Sequence, residues 1–223
     1  MRTKFINLLF VIAFTSSLVN CKDKANKAST SEAETVAVAE QTATEFLADA
    51  SKSKIEWKGS KPTGIHNGTV KIENGKLQVK DGSVQSGSFT IDMTSIEVLD
   101  MEGEYKDKLE KHLKGTVEGK EDHFFDVNKY PAAVFEVTGT DKIDGKTHLS
   151  GNLTIKGITN NVSFPVSVST EGDIVTLTSD IFSIDRTKWN VNYGSKSIFD
   201  DLGDSFVNDD IELKITVVAN KKA

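Results

Sequence analysis

The chain has 223 residues, enough for one sizeable domain with short additions and thin for two. Hydrophobic residues make up 37 % and the formal charge is −6. That balance supports a buried core, excludes a polytopic membrane protein, and argues against nucleic acid as a partner, because the phosphate backbone calls for a basic surface. The single cysteine, Cys21, excludes an intrachain disulfide framework and a thiolate metal cluster.

The N-terminus reads as an address. Met1 to Lys4 form a short basic region, and Phe5 to Val19 form an apolar run interrupted by Asn7 and by Thr15-Ser16-Ser17. The run is shorter than the roughly 20 apolar residues of a spanning helix and fits a secretory signal. Leu18-Val19-Asn20 leads directly into Cys21, which resembles a bacterial lipobox with Asn20 where a small residue is usual. Residues 1–20 are therefore expected to be a signal peptide, and Cys21 the lipidation site and mature N-terminus. That implies membrane attachment in the cell envelope, at the outer membrane facing the periplasm or the surface. Residues 22–50 are rich in Lys, Glu, Ala, Thr and Ser, with Phe46 the only aromatic. Such a segment has too little apolar surface to offset its ordering entropy, so 21–50 reads as a lipidated cysteine with a flexible tether. As a coil it would span roughly 30 Å; the alternative for 42–50 is a short helix.

From Ser53 the dominant period is two, and residues 51–223 are read as one barrel domain. Ile55, Trp57 and Gly59 alternate with Lys54, Glu56 and Lys58; Val70 and Ile72 alternate with Lys71 and Glu73. Asn74-Gly75 and Asp81-Gly82 both carry a hairpin signal. Phe89, Ile91 and Met93 share a face, as do Phe135 and Val137, then Leu149, Gly151, Leu153 and Ile155, then Val162, Phe164, Val166 and Val168. Pro165 implies a bulge or an edge at that point. Glu171-Gly172-Asp173 is a turn, and Ile211 to Val217 form the last strand. Eight or nine short strands with tight turns make an all-β chain, an antiparallel barrel or sandwich. One segment departs from the pattern. Tyr105, Leu109 and Leu113 follow helical spacing among charged residues, and His123-Phe124-Phe125 lies in the irregular stretch 116–130. A helix and an aromatic loop inserted at one end would form a plug or a lid.

The ordered set of motifs resembles the YceI-like family. The stretches that carry it are Lys54-Ile55-Glu56-Trp57-Lys58-Gly59, Gly64-Ile65-His66-Asn67-Gly68, and Gly87-Ser88-Phe89-Thr90-Ile91-Asp92-Met93. His112-Leu113, Phe124-Phe125-Asp126-Val127, Tyr130-Pro131, Gly151-Asn152-Leu153-Thr154-Ile155-Lys156-Gly157, Phe164-Pro165 and Asp185-Arg186 follow in order. Lys114 to His123 is a longer separation between the His-Leu and Phe-Phe elements than in many relatives. The resemblance implies a lipocalin-like barrel of about eight strands that binds a polyisoprenoid lipid or quinone, with no other cofactor. The residues expected to line the ligand site are Trp57, Phe89, Met93, Leu109, Leu113, Phe124, Phe125, Phe135, Phe182 and Trp189, whereas Lys58, Thr90 and Glu136 are out of phase.

Catalytic and metal signatures are sparse. The four histidines, His66, His112, His123 and His148, show no zinc-hydrolase spacing, and no nucleophile elbow or phosphate loop occurs. His66 reads as a hydrogen-bonded wall residue. His112 and His123, with Asp122 and Asp126, could meet at the rim, the basis of an enzyme alternative. Asp185-Arg186 reads as an ion pair, a turn salt bridge or a headgroup contact, and the Asn-x-Ser/Thr triplets at Asn67, Asn152 and Asn161 as chance. The primary expectation is a lipid-binding module, not an enzyme; the other alternative is a structural or stress protein with a solid barrel. Nothing in the sequence sets an oligomeric state.

Overall fold

The computed structural model describes residues 26–222, so the expected signal peptide and the lipidation site Cys21 lie outside the described residues. In chain order the strands are β1 (Asn26–Lys27), β2 (Ser29–Glu32), β3 (Thr44–Ala48), β4 (Lys54–Lys61), β5 (Gly64–Lys80) and β6 (Ser83–Val98). After helix α1 (Gly103–Lys114) come β7 (Ala132–Ile143), β8 (Lys146–Ile155), β9 (Ile158–Glu171), β10 (Ile174–Ser179), β11 (Phe182–Asp185) and β12 (Asp210–Lys221). Eight of them close a ring, β4-β5-β6-β7-β8-β9-β10-β12 and back to β4, with every pairing antiparallel. The expected all-β barrel with one short helix is the observed fold.

Local chemistry explains the hairpins. Asp81-Gly82, Asp144-Gly145 and Lys156-Gly157 each join two strands, and both residues of each pair have positive φ. Such turns match the twist of the strands they join. Asn74-Gly75 is not a hairpin turn. It lies inside β5 at a register shift between Ile72 and Asn74, and Gly75 faces Phe89 across the ladder. A Cβ at Gly75 would overlap the Phe89 ring. The glycine is required here by a close approach within a bulged strand, not by a reversal of the chain.

The ring has two seams, and the N-terminal segment closes both. β4 begins at Lys54, which leaves the lower ends of β5 and β12 apart. β3 lies between them, with Phe46 opposite Leu77 and Lys221, and Ala48 opposite Ala219. Phe46 is buried there. The second seam opens where β10 ends: β11 continues along β12 but leaves β9. β1 runs parallel to β11, with Asn26 beside Phe182, and β2 runs antiparallel to β9, with Thr30 beside Val162. Between them Ala28 is buried, and its amide donates to the Ser183 carbonyl at 2.8 Å. Pro165 stands where the neighbour of β9 changes from β2 to β10, an edge position as expected.

The tether reading of 21–50 therefore fails for residues 26–50, and so does a helix over 42–50. From Glu34 to Glu40 the chain crosses the outside of the barrel. The Glu34 amide donates to Asn152 Oδ1 at 2.9 Å, and Asn152 Nδ2 donates back to the Glu34 carbonyl at 2.7 Å. Asn161 Nδ2 donates to Asn152 Oδ1 at 3.2 Å and to Thr138 Oγ1 at 2.9 Å. Farther along, the Ala37 amide bonds the Val137 carbonyl, and Lys80 reaches Glu40 at 2.6 Å. Low apolar content argued for disorder, but β1, β2 and β3 pair with sheet edges that would otherwise stay open, and the stretch between β2 and β3 is held by hydrogen bonds and an ion pair that need no apolar surface. Asn152 and Asn161, read as chance triplets, are buried fixtures of this strap.

Candidate ligand cavity

The inward side chains do not fill the barrel. They leave a cavity of about 410 Å³ whose wall is almost wholly apolar. Val162, Phe164, Leu177 and Val217 line its depth, and Ser60, Lys61, His66, Ser205 and Asn208 bring polar atoms to the mouth. All ten residues expected to line a ligand site border this cavity, from Trp57 on β4 to Trp189 beyond β11. Trp189 is fully buried, and its indole N–H is satisfied by the Leu153 carbonyl at 2.8 Å. The third residue of the helix stripe behaves differently: Tyr105 is 72 % exposed and points to solvent, so of the stripe Leu109 and Leu113 reach the cavity, with His112 of the same helix beside them.

The space persists because three aromatic rings lie along the wall over glycines. Trp57 covers Gly68 on β5, Phe89 covers Gly75, and Phe135 covers Gly151 on β8. A Cβ at Gly68 would come within 2.6 Å of the Trp57 ring, and one at Gly75 or Gly151 would overlap a phenyl ring. Each ring packs on backbone instead of projecting toward the barrel axis. Phe164 and Phe182 stack on each other, with centroids 4.2 Å apart and planes at 3°, on the side where β9 and β11 separate.

One side of the mouth is α1 with the following loop. The Val98 amide donates to Glu110 at 2.9 Å, and Lys106 pairs with Glu97 at 3.1 Å, which fixes the helix to the end of β6. Gly115, with φ of 67°, ends the helix, and its missing side chain lets Glu121 and Asp126 fold close against it. The other side is the loop between β11 and β12. Arg186, 2 % exposed, organises that loop by donating to the carbonyls of Val191, Val207 and Asn208, with Asp209 at 3.5 Å. Its ion-pair partner is thus Asp209; Asp185 accepts from Thr187 instead.

The two sides meet through side chains. His112 Nε2 and His123 Nδ1 are 2.8 Å apart, and Tyr193 from the opposite loop stacks on His123 at 4.4 Å and stands edge-on to His112 at 4.8 Å. Beside them the almost fully buried Lys156 ammonium bonds Asp122 at 2.7 Å and the Asn190 carbonyl at 3.1 Å. Thus His112 and His123 do come together, but Asp122 is taken up by Lys156. Among the described residues no three His, Cys, Asp or Glu side chains gather as a metal set. His66 is held at the mouth by Asp100 at 2.9 Å, and His148 lies away from the cavity on lower β8. The sequence reading did not single out Tyr193 or Lys156. Tyr193 stands in no motif and Lys156 only within the Gly151–Gly157 stretch, and each acquires its role only when segments distant in sequence meet.

The YceI-like domain profile matches residues 46–219, most of the chain. The chain belongs to the YceI-like family. Among solved structures, BcnA of Burkholderia cenocepacia is 26 % identical with a TM-score of 0.61, covering 78 % of this chain and 99 % of that one. A polyisoprenoid binding domain from Saccharophagus degradans, 12 % identical with a TM-score of 0.55, covers 81 % of this chain and all of its own, a likeness of fold. Among curated protein sequences none matches this one. The profile begins at residue 46, so the family domain takes in β3 from Phe46 onward but not β1, β2 or the strap.

Two outcomes follow from this geometry. Gly75→Ala should push the Phe89 ring toward the barrel axis and shrink the cavity, at a stability cost of about 1–3 kcal/mol; a crystal structure of the variant checks the ring position. The second concerns pH. Burial first, then the neighbouring His123 and Lys120, hold the His112 imidazole below its ordinary value. The unfolded state therefore binds more protons than the folded state just below about pH 6.5, so this contribution is complete above that pH and is lost as pH falls toward the folded value. The melting temperature should fall as the pH drops below about 6.5, and His112→Phe should flatten that slope.

Proposed function

We propose that this protein is an envelope lipoprotein that carries one isoprenoid-type lipid or quinone, its tail in the cavity and its head at the mouth. The observation that carries the reading is the cavity of about 410 Å³. At about 24 cal/mol per Å³, space of that size within an apolar core costs on the order of 10 kcal/mol relative to a packed interior. A purely structural barrel has no reason to bear that cost. A cavity of roughly 150 Å³ takes a benzene ring, so this one has room for on the order of 15 chain carbons. At about 0.8 kcal/mol per methylene their burial contributes on the order of 10 kcal/mol, and no catalytic group is needed. The polyisoprenoid binding domain from Saccharophagus degradans supports the ligand class. The paired histidines serve this reading as a fastening across the mouth, in place of a rim catalyst.

Protein made in an isoprenoid-replete host should carry one lipid per chain by native mass spectrometry, and the organic extract should contain a prenyl compound. Protein that is lipid-free by both measurements overturns carriage. The location is tested separately. The wild type should fractionate with membranes and Cys21→Ser with the soluble fraction, because two or more acyl chains hold a protein firmly where one gives marginal binding. A soluble wild type overturns the lipoprotein reading and leaves the cavity reading standing.

A further inference from the structure

The strap fixes where the barrel can sit relative to its anchor. Cys21 and Asn26 are five residues apart, and a chain extends at most about 3.6 Å per residue, so their Cα atoms lie within about 18 Å of each other. Asn26 is part of the wall. It runs beside Phe182, Phe182 faces Leu213, Leu213 faces Trp57 and Trp57 faces Gly68, four residues below the start of β5 at the mouth. A point on the side of the barrel, not an end, is therefore the one held near residue 21.

That side has its own chemistry. From Ile158 to Thr170, and again through β10, the sequence contains no charged residue. Between the strap and Glu171 the outward positions of β9 and β10 are Ser167, Ser169, Thr176 and Thr178, with Ile174 41 % and Ile181 50 % exposed beside them, and the Lys146–Asp180 ion pair marks the border of this patch. The β4–β5 wall is different, with Lys54, Glu56, Lys58, Lys71, Glu73 and Lys76. In a chain of net charge −6, the hydroxyl-rich uncharged wall is the surface that approaches an acidic or zwitterionic headgroup layer with least repulsion and least loss of charge hydration.

We propose that the β9–β10 wall is a lipid-bilayer docking face, and that the strap holds the barrel on its side against the membrane. This inference rests on Cys21 being the anchor. The Asn152 clamp on Glu34 and the buried Ala28 transmit the short linkage to the wall, because they keep residues 26–34 from peeling away and lengthening it.

Hydroxyl-radical footprinting tests the face with native residues as reporters. The mature chain is coupled through the Cys21 thiol to a maleimide phospholipid in phosphatidylcholine vesicles, so orientation is measured whether or not the cell acylates that residue. The reference is Cys21→Ser protein mixed with the same vesicles. Oxidation of Ile174 and Ile181 should fall at least threefold on coupling, while Ile65 at the mouth and Ile143 at the β7–β8 turn, both well exposed, should not change. Asn152→Ala should lose at least half of that protection. Protection of Ile65 instead would mean that the mouth docks, and equal oxidation everywhere would mean a freely hanging barrel. Either result overturns the proposal, as does unchanged protection in Asn152→Ala. Cellular fractionation of wild type against Cys21→Ser reports independently on the anchor.

Discussion

The structure depends on where its bulkiest inward side chains are allowed to lie. An eight-stranded barrel is close to the size that side chains alone can fill. Here Trp57, Phe89 and Phe135 are each drawn onto the backbone of a glycine, Gly68, Gly75 and Gly151. The rings still bury their area and contribute to stability, but they do so along the wall. The other lining side chains, the mutually stacked Phe164 and Phe182 among them, do not fill the axis. Cavity, mouth and the need for a cover all follow from three residues that lack a Cβ.

A second constraint is the pairing of backbone groups. Where β4 starts late and β11 leaves β9, the ring would present unpaired N–H and C=O groups beside an apolar interior. The chain meets both needs from its own N-terminal segment, β3 below and β1–β2 on the side. Part of this lies outside the family domain, which starts at residue 46. The side seam is closed by Asn26 to Glu32, a run in which only Ala28 is buried. Here hydrogen bonding, not hydrophobic burial, decides the structure.

That distinction explains what was legible in the sequence. The strands announced themselves because inward and outward residues alternate, and Leu109 and Leu113 because helical spacing brings them to one face. The lining of the cavity followed from phase, since a residue in step with Ile55 or Ile91 points inward whatever occupies the lumen. Three readings went astray for identifiable reasons. Asn74-Gly75 has turn chemistry, but its glycine serves a ring on the next strand. Tyr105 shares the stripe of Leu109, but α1 begins beyond the edge of the cavity and leaves it in solvent. The strap looked disordered because composition counts apolar surface and does not see Asn152, more than a hundred residues away, offering both halves of its amide to the backbone N–H and C=O of one residue, Glu34. Contacts such as His123 with Tyr193 leave no local pattern at all.

The closure of the ring also sets an order of events. β4 pairs with β12, and β1 cannot find a partner until β11 exists, so the first strands made wait for the last. Contacts of such long sequence separation make folding slow, because loop closure must come before any reward. The β5–β6 hairpin and the β7 to β10 meander can assemble locally through two-residue turns, the segment carrying α1 lets β6 and β7 pair, β12 then completes the wall, and only afterward does a groove exist for residues 26–34. The N-terminal strap is thus the last piece to seat, and its docking marks a finished barrel.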